Sequence, residues 1–245
     1  GRAGIDTVHR AEPRVVDGLA DVYAEWIRKY KVDGFRIDTA RHVDEAFFHV
    51  WVPQVLAAAH AVGVRDFELF GEVFDDDSTV VAPFVTERGL PNVLDFPFQS
   101  VAAAYAGGGA SAIGLQQRFE DDDYYRTPSG AAFTPPTFLG NHDMGRAAQQ
   151  IAANGGATGD ELLRRVELGY DLLYLLRGAP VVYYGDEIGM AGLGGDKAAR
   201  QDMFPTQVAE WRTEPRVGAP PIGRGSGLAI ADHPIEVELR ELAVL

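Results

Sequence analysis

Apolar and polar positions fall in blocks along this chain. A short apolar run is followed by a polar loop, and then usually by a longer stretch whose apolar residues recur every three or four positions. Five apolar runs stand out, at residues 32–37, 64–70, 92–96, 136–140 and 180–184. Their length predicts buried strands. A helix is predicted over 14–30, where Leu19, Val22, Tyr23, Trp26, Ile27 and Tyr30 share one face. A second is predicted over 45–62, with Gly63 placed to end it in a left-handed cap. Before the fifth run, Thr158 and Glu161 fit a capping box, 162–176 is mostly apolar, and Gly178 follows the end.

Strands alternating with helices predict βαβ units and a parallel sheet. A TIM barrel and a doubly wound sheet both satisfy that alternation. Glycine-rich pieces at 107–109, 155–156 and 194–195 read as loops. None follows a strand in the form that cradles a phosphate, which argues against a nucleotide-binding doubly wound protein. The stretch 215–227 is loop-like, and an amphipathic piece covers 234–245.

Composition narrows the picture. The 245 residues include 46% hydrophobic and 24% charged residues, as in a globular domain with one substantial core. The formal net charge of −14 repels phosphate backbones, so a nucleic-acid partner is not expected, whereas neutral sugars do not feel it. There is no cysteine, which excludes disulfides, thiolate metal sites and a cysteine nucleophile while leaving the compartment open. No apolar run approaches the roughly 20 residues that span a bilayer, so no membrane partner is expected. The chain opens Gly1-Arg2-Ala3-Gly4-Ile5 without an initiator Met or a signal-peptide pattern, and the protein's true start is expected upstream.

The candidate chemistry sits where the apolar runs end: Arg36-Ile37-Asp38, Gly71-Glu72, Asn141-His142-Asp143 and Gly185-Asp186-Glu187. The C-terminal ends of parallel barrel strands open on one face, so these acidic clusters are expected to converge. Gathering carboxylates costs electrostatic energy, and proteins that do so usually use them. Arg36 and Asp38, two apart on a strand, point the same way, and the guanidinium would hold Asp38 ionised, as a nucleophile requires. Phe70 and Phe74 fall on the side of Glu72, and an apolar surround favours the protonated carboxyl that a general acid needs. Together these form the two-carboxylate arrangement of glycoside hydrolysis. His142 beside Asp143 adds a donor and an acceptor suited to sugar hydroxyls.

Taken singly, each feature has a plainer reading. An Arg-x-Asp at a strand end is commonly a structural ion pair, and a lone His is commonly a satisfied structural one. Asp75-Asp76-Asp77 and Asp121-Asp122-Asp123 read as solvated loops or caps, with calcium ligation as the alternative. Asp186 and Glu187 read as a cap for the next helix or as the partners of a loop arginine.

Several segments resemble signatures of the α-amylase family of glycoside hydrolases. Gly34-Phe35-Arg36-Ile37-Asp38-Thr39-Ala40-Arg41-His42 is similar to its fourth-strand signature, and Glu68-Leu69-Phe70-Gly71-Glu72-Val73 to its fifth. Leu94-Asp95-Phe96-Pro97 resembles the sixth, Phe138-Leu139-Gly140-Asn141-His142-Asp143 the seventh, and the segment from Gly178 to Glu187 the eighth. Arg200-Gln201-Asp202-Met203-Phe204 resembles a later loop of starch-active members.

The resemblance implies an α/β (β/α)8 TIM barrel, of which this chain would hold strands 4 to 8. It also implies a retaining hydrolase of starch-like α-glucans. Carried over by position, Asp38 would be the nucleophile, Glu72 the general acid/base, and Asp143 the residue that binds the distorted sugar's hydroxyls. Arg36 would hold Asp38, His142 would bind the same sugar, and Arg41 and His42 would lie towards the aglycone. A transglycosylase on the same substrates would use the same residues with another acceptor. A non-catalytic binding relative would be expected to have lost at least one of the three carboxylates. No cofactor is implied beyond possible calcium in the full-length enzyme. The family's third-strand signature, an Asp with an Asn-His pair, has no counterpart here. That departure predicts that residues 1–245 are the C-terminal part of the catalytic barrel.

Overall fold

The computed structural model describes residues 12–127, 133–192, 194–203, 208–221 and 232–245. The opening Gly1-Arg2-Ala3-Gly4-Ile5, Phe204 and the 222–227 part of the expected loop lie outside the described residues. The chain forms two compact units, Gly1–Leu94 with Asp121–Pro135, and Asp95–Glu120 with Pro136–Leu245. No helix among the described residues is long and apolar enough to cross a membrane.

In the first unit, helix α1 (Pro13–Tyr30) starts on a proline, whose fixed φ suits the first turn, and leads into strand β1 (Gly34–Ile37). Helix α2 (Glu45–Ala61) is capped by Asp44, whose carboxylate accepts the Ala46 N–H, and Gly63 beyond its end adopts φ +89°. Strand β2 (Glu68–Gly71) follows. Two one-turn helices, α3 (Ser78–Val81) and α4 (Pro83–Thr86), precede strand β3 (Asn92–Val93). The three strands form a parallel sheet in the order β1-β2-β3. Beneath it, Phe48, Trp51, Val55 and Ala59 of α2 pack with Ile27, Leu69 and Val93 in one core.

Helix α1 departs from the sequence reading. It buries Val16, Ala20, Ala24 and Ile27, while Leu19, Val22, Trp26 and Tyr30 stay exposed, Trp26 to 52% and Tyr30 to 56%. Of the expected face, Ile27 is fully buried and Tyr23 packs edge-on against Phe35 and Trp51. Small residues let α1 lie close against α2, and the rest of that face is turned away. Trp26 and Tyr30 pack on each other there, with ring centroids 5.0 Å apart.

The second unit is mainly helical. Helices α5 (Phe96–Gly107) and α6 (Ala112–Glu120) precede strand β4 (Pro136–Thr137). Helices α7 (Ala147–Gly155) and α8 (Gly159–Leu175) precede strand β5 (Ala179–Pro180), which pairs in parallel with β4. Helix α9 (Pro234–Leu242) closes the chain and buries Ile235, Leu239 and Leu242 in the core shared with Val166, Tyr170 and Leu173. The predicted fourth and fifth runs shrink to two-residue strands. Two of the glycine pieces read as loops are helix ends, with Gly108 and Gly156 in the left-handed cap position. Thr158 is the N-cap of α8, but its side chain makes no capping hydrogen bond, so the expected capping box does not form.

Helix α9 is capped by a histidine. The buried His233 accepts the Ile235 N–H at Nδ1 (3.3 Å) and its Nε2 lies 2.9 Å from the Val217 carbonyl, which fixes the neutral, Nε2-protonated ring. Burial pushes its pKa below the ordinary 6.5. The folded state therefore binds fewer protons here than the unfolded chain. The stabilisation is full above pH 6.5 and is lost as pH falls through the lower folded value. In the full-length protein, the urea midpoint of the wild type should fall from pH 7 to pH 5 relative to His233→Asn, which keeps a cap but does not titrate. The expected gap is about 1 kcal/mol, the worth of one N-cap. Parallel midpoints would exclude this role for His233.

Candidate active site

The parallel register places the site's first half. Ile37 pairs with Gly71, so the next residues, Asp38 and Glu72, leave adjacent strand ends side by side, and the Glu72 N–H donates to Ile37 O at 2.8 Å. A side chain on Gly71 would run into Leu90 and Ala40, so only glycine lets the strand end lie this close to the 38–42 turn. One guanidinium holds both acids: Arg36 Nη1 lies 3.1 Å from Asp38 Oδ1, and Nη2 lies 2.9 Å from Glu72 Oε1. The Glu72 side chain is 9% exposed and that of Asp38 is 69% exposed.

This corrects the expected surround of Glu72. Phe74 is turned out, 52% exposed, and the carboxylate is instead met by Arg36 and by the Thr39 N–H at 3.0 Å. The physical reason is the register, which carries Arg36 across to the neighbouring strand end. Thr39 has φ +48°, a strained conformation for a β-branched residue, and it turns this N–H onto Glu72.

Arg41 donates to Phe74 O at 2.6 Å and pairs with Asp75 at 2.9 Å, which ties the 38–42 turn to the loop after β2. His42 is exposed in the same turn, a 3-10 segment covering Ala40–His42. The acidic runs serve the chain's own loops and caps, Asp75 through Arg41 and Asp121 through the Ser78 hydroxyl at 3.4 Å. Asp77 caps α3 through the Thr79 N–H at 2.8 Å, and Asp121–Tyr125 is a 3-10 turn. Among the described residues, no group of three or more His, Asp or Glu side chains is placed to hold a metal ion.

In the second unit Asp143 sits at the tip of a tight loop. Asn141 and Gly145 exchange backbone hydrogen bonds, and Asn141 Oδ1 accepts the Asp143 and Met144 N–H groups at 2.9 and 3.0 Å. Gly145, at φ +113° and crowded by Gln149, makes the turn that no other residue enters without strain. His142 Nε2 lies 3.1 Å from Asp143 Oδ2, and Arg200 Nη2 lies 3.0 Å from Oδ1.

Asp186 is not an open site acid. It is buried and ion-paired to Arg146 at 2.8 Å, and it also accepts the Ala147 N–H and the Tyr170 hydroxyl. Burial pushes its carboxyl up to about 6 against the pull of that guanidinium. The plainer reading, an acid holding a loop arginine, is the one observed. Arg146 also donates to Gln201 Oε1 and Tyr184 O at 2.7 and 2.6 Å, while the Tyr184 hydroxyl donates to Gln201 O.

The structure thus brings together Arg36, Asp38 and Glu72 in the first unit and His142 and Asp143 in the second. Thr39, Arg146 and Arg200 are contributors that the sequence reading left without roles, and Asp75, read as part of a solvated loop or cap, holds Arg41. Arg146, three residues after Asp143, was the one most open to notice. A cleft of about 560 Å3 in the second unit, walled by Ala148, Ala152, Leu162 and Val217 among others, contains none of the predicted site residues.

Residues 3–216 match the family model described as alpha amylase, catalytic domain. An α-amylase of Streptomyces lividans is 44% identical over 216 residues, covering 88% of this chain and 24% of that protein. A cyclomaltodextrinase of Geobacillus thermopakistaniensis is 30% identical over 199 residues, covering 80% of this chain and 30% of its own length. The crystal structure of an Anoxybacillus α-amylase superposes with a TM-score of 0.68 at 30% identity, over 78% of this chain and 40% of that one. The chain therefore spans less than half the length of each of these relatives, whose TIM-barrel class it shares by likeness. With its strand-end motifs inside the matched region, the chain belongs to the α-amylase family.

Proposed function

We propose that the full-length protein is a retaining glycoside hydrolase that cleaves α-glucosidic bonds in starch-like glucans by double displacement. The observation that carries this is the Asp38–Arg36–Glu72 group: two carboxylates on adjacent strand ends, spanned by one guanidinium at 3.1 and 2.9 Å. Retaining enzymes keep their two carboxyl groups about 5 to 5.5 Å apart, and two acids sharing one arginine suit that spacing.

In this reading the Asp38 carboxylate attacks the anomeric carbon while Glu72 gives its proton to the leaving glycosidic oxygen. Water then attacks the glycosyl–Asp38 bond, Glu72 takes up its proton, and Asp38 leaves. Asp143, with His142, accepts the sugar's hydroxyls and stabilises positive charge at the ring. Arg36 orients both working acids, and Arg41 and His42 lie on the leaving-group side. The same reading makes this chain strands 4 to 8 of the family's barrel, the C-terminal part of a catalytic domain that preceding βα units complete. The chemistry needs no cofactor, and calcium is the one ion the reading allows in the full-length enzyme.

Product analysis tests the reading. The full-length protein on maltooligosaccharides should release the α-anomer first, followed by NMR before mutarotation. Initial release of the β-anomer would exclude double displacement, and absence of any reducing sugar would exclude the hydrolase.

A further inference from the structure

Arg200 Nη2 donates to Asp143 Oδ1 at 3.0 Å, and His142 Nε2 lies 3.1 Å from Oδ2. A carboxylate offers about four lone-pair directions. With Oδ1 accepting from Arg200 on one side, the carboxylate is oriented and directions at both oxygens remain for sugar hydroxyls. We propose that Arg200 is a positioning residue of the reaction, holding the Asp143 carboxylate in the orientation that receives the substrate. This inference rests on the glycosidase reading of Asp143.

The local architecture is built to deliver that guanidinium. Arg200 Nε and Nη2 both bind Asp196 Oδ1, at 3.0 and 2.9 Å, which fixes the side chain from behind. The Asp196 N–H donates to Asp143 O at 3.1 Å, so backbone and side chain of one short segment both reach the same residue. That segment is anchored in turn. The Tyr183 hydroxyl donates to Ala199 O at 3.0 Å, the Tyr184 hydroxyl to Gln201 O at 2.8 Å, and the buried Arg146 to the Gln201 side chain. Asp196 itself sits at φ +35°, in the left-handed region, where the turn is closed at a conformational cost.

Stability alone gives little reason for the contact. The side chains of Asp143 and Arg200 are 38% and 47% exposed, and ion pairs of that kind contribute little to folding. A bound sugar changes the balance, because it excludes water and makes the orientation of Asp143 matter at the moment charge develops on the ring. Removing the guanidinium is therefore expected to act on turnover rather than on folding.

The experiment uses the full-length protein with Arg200→Met and Arg200→Lys, assayed on soluble starch and maltoheptaose beside thermal melts. Arg200→Met should lower kcat about tenfold, the scale of one charged hydrogen bond, with KM within about twofold. Its Tm should lie within about 2 °C of the wild type, as expected for a half-exposed pair. Arg200→Lys, which keeps a charge able to reach one oxygen, should recover much of the lost kcat. Three results would overturn the proposal: wild-type kcat in Arg200→Met, a loss confined to KM, which would make Arg200 a direct sugar ligand, or a fall in kcat matched by a fall in Tm. A wild-type protein without turnover in the same assay would sink the glycosidase reading itself, so the two failures are told apart.

Discussion

Asp38→Asn and Glu72→Gln in the full-length protein should each abolish measurable turnover while oligosaccharide binding survives. Asparagine keeps the shape of Asp38 but cannot form the glycosyl ester, and glutamine keeps the shape of Glu72 but has no proton to give. Loss of proton transfer alone costs on the order of 10² to 10⁴ in rate, and loss of covalent catalysis at Asp38 comes on the same scale or beyond. The folded site tolerates both changes. Asp38 is mostly exposed, and in Glu72→Gln the side-chain carbonyl can still accept the Thr39 N–H that Glu72 Oε2 accepts now. Arg36 keeps one of its two acidic partners in either variant. Reducing-sugar assays with calorimetric binding of maltooligosaccharide separate chemistry from affinity. A variant at either position that turns over at near wild-type rate would show that the carboxylates have other work.

The second large effect concerns residues 1–245 expressed by themselves, which should show no cooperative melt and no glucanase activity. Two features of the first unit motivate this. Among the described residues β1 pairs only with β2 and has an open edge, whereas parallel strands are normally covered on both sides. Helix α1 also carries an outward stripe of Val15, Leu19, Val22, Trp26 and Tyr30, at the three- and four-residue spacing of a face that packs on another helix. Open strand edges and apolar faces of this kind favour association with other chains. Circular dichroism on heating, together with a starch assay, reads the outcome directly. A sharp unfolding transition accompanied by turnover would mean that these units form a self-sufficient domain, and the C-terminal-part reading would fall.

The legible part of this protein was whatever depends on local pattern. Arg36, Asp38, Glu72, His142 and Asp143 each lie at or just beyond the end of a short apolar run, and the parallel register does set Asp38 beside Glu72 as consecutive strand ends should be. Helices α1 and α2 lie within a residue of their expected limits, because proline at the start of one and Asp44 before the other are local signals. The face that α1 buries was legible only at Ile27 and Tyr23. Its bulky residues and its small ones both recur at helical spacing, and close approach to α2 buried Ala20 and Ala24 with Val16 and Ile27.

Sequence by itself determined the five strands, helices α1, α2 and α8, the acids that end the strands and the absence of cysteine from these 245 residues, since each follows from the residue types along a few turns of chain, whereas α5, α6 and α7 were not read from it. The local pairs Arg36–Asp38 and His142–Asp143 followed from spacing, whereas tertiary structure alone decided the distant partners of those acids. The surround of Glu72 changed from the expected phenylalanines to Arg36 and a strained Thr39 N–H, because here pairing across strands, not spacing along one, chose the carboxylate's neighbours. In the same way Asp186 was drawn into a buried pair with Arg146, 40 positions away, and Asp143 acquired Arg200 from 57 positions away. Such partners are set by how loops cross in space, and charge interactions over a few ångströms carry no trace in local sequence pattern.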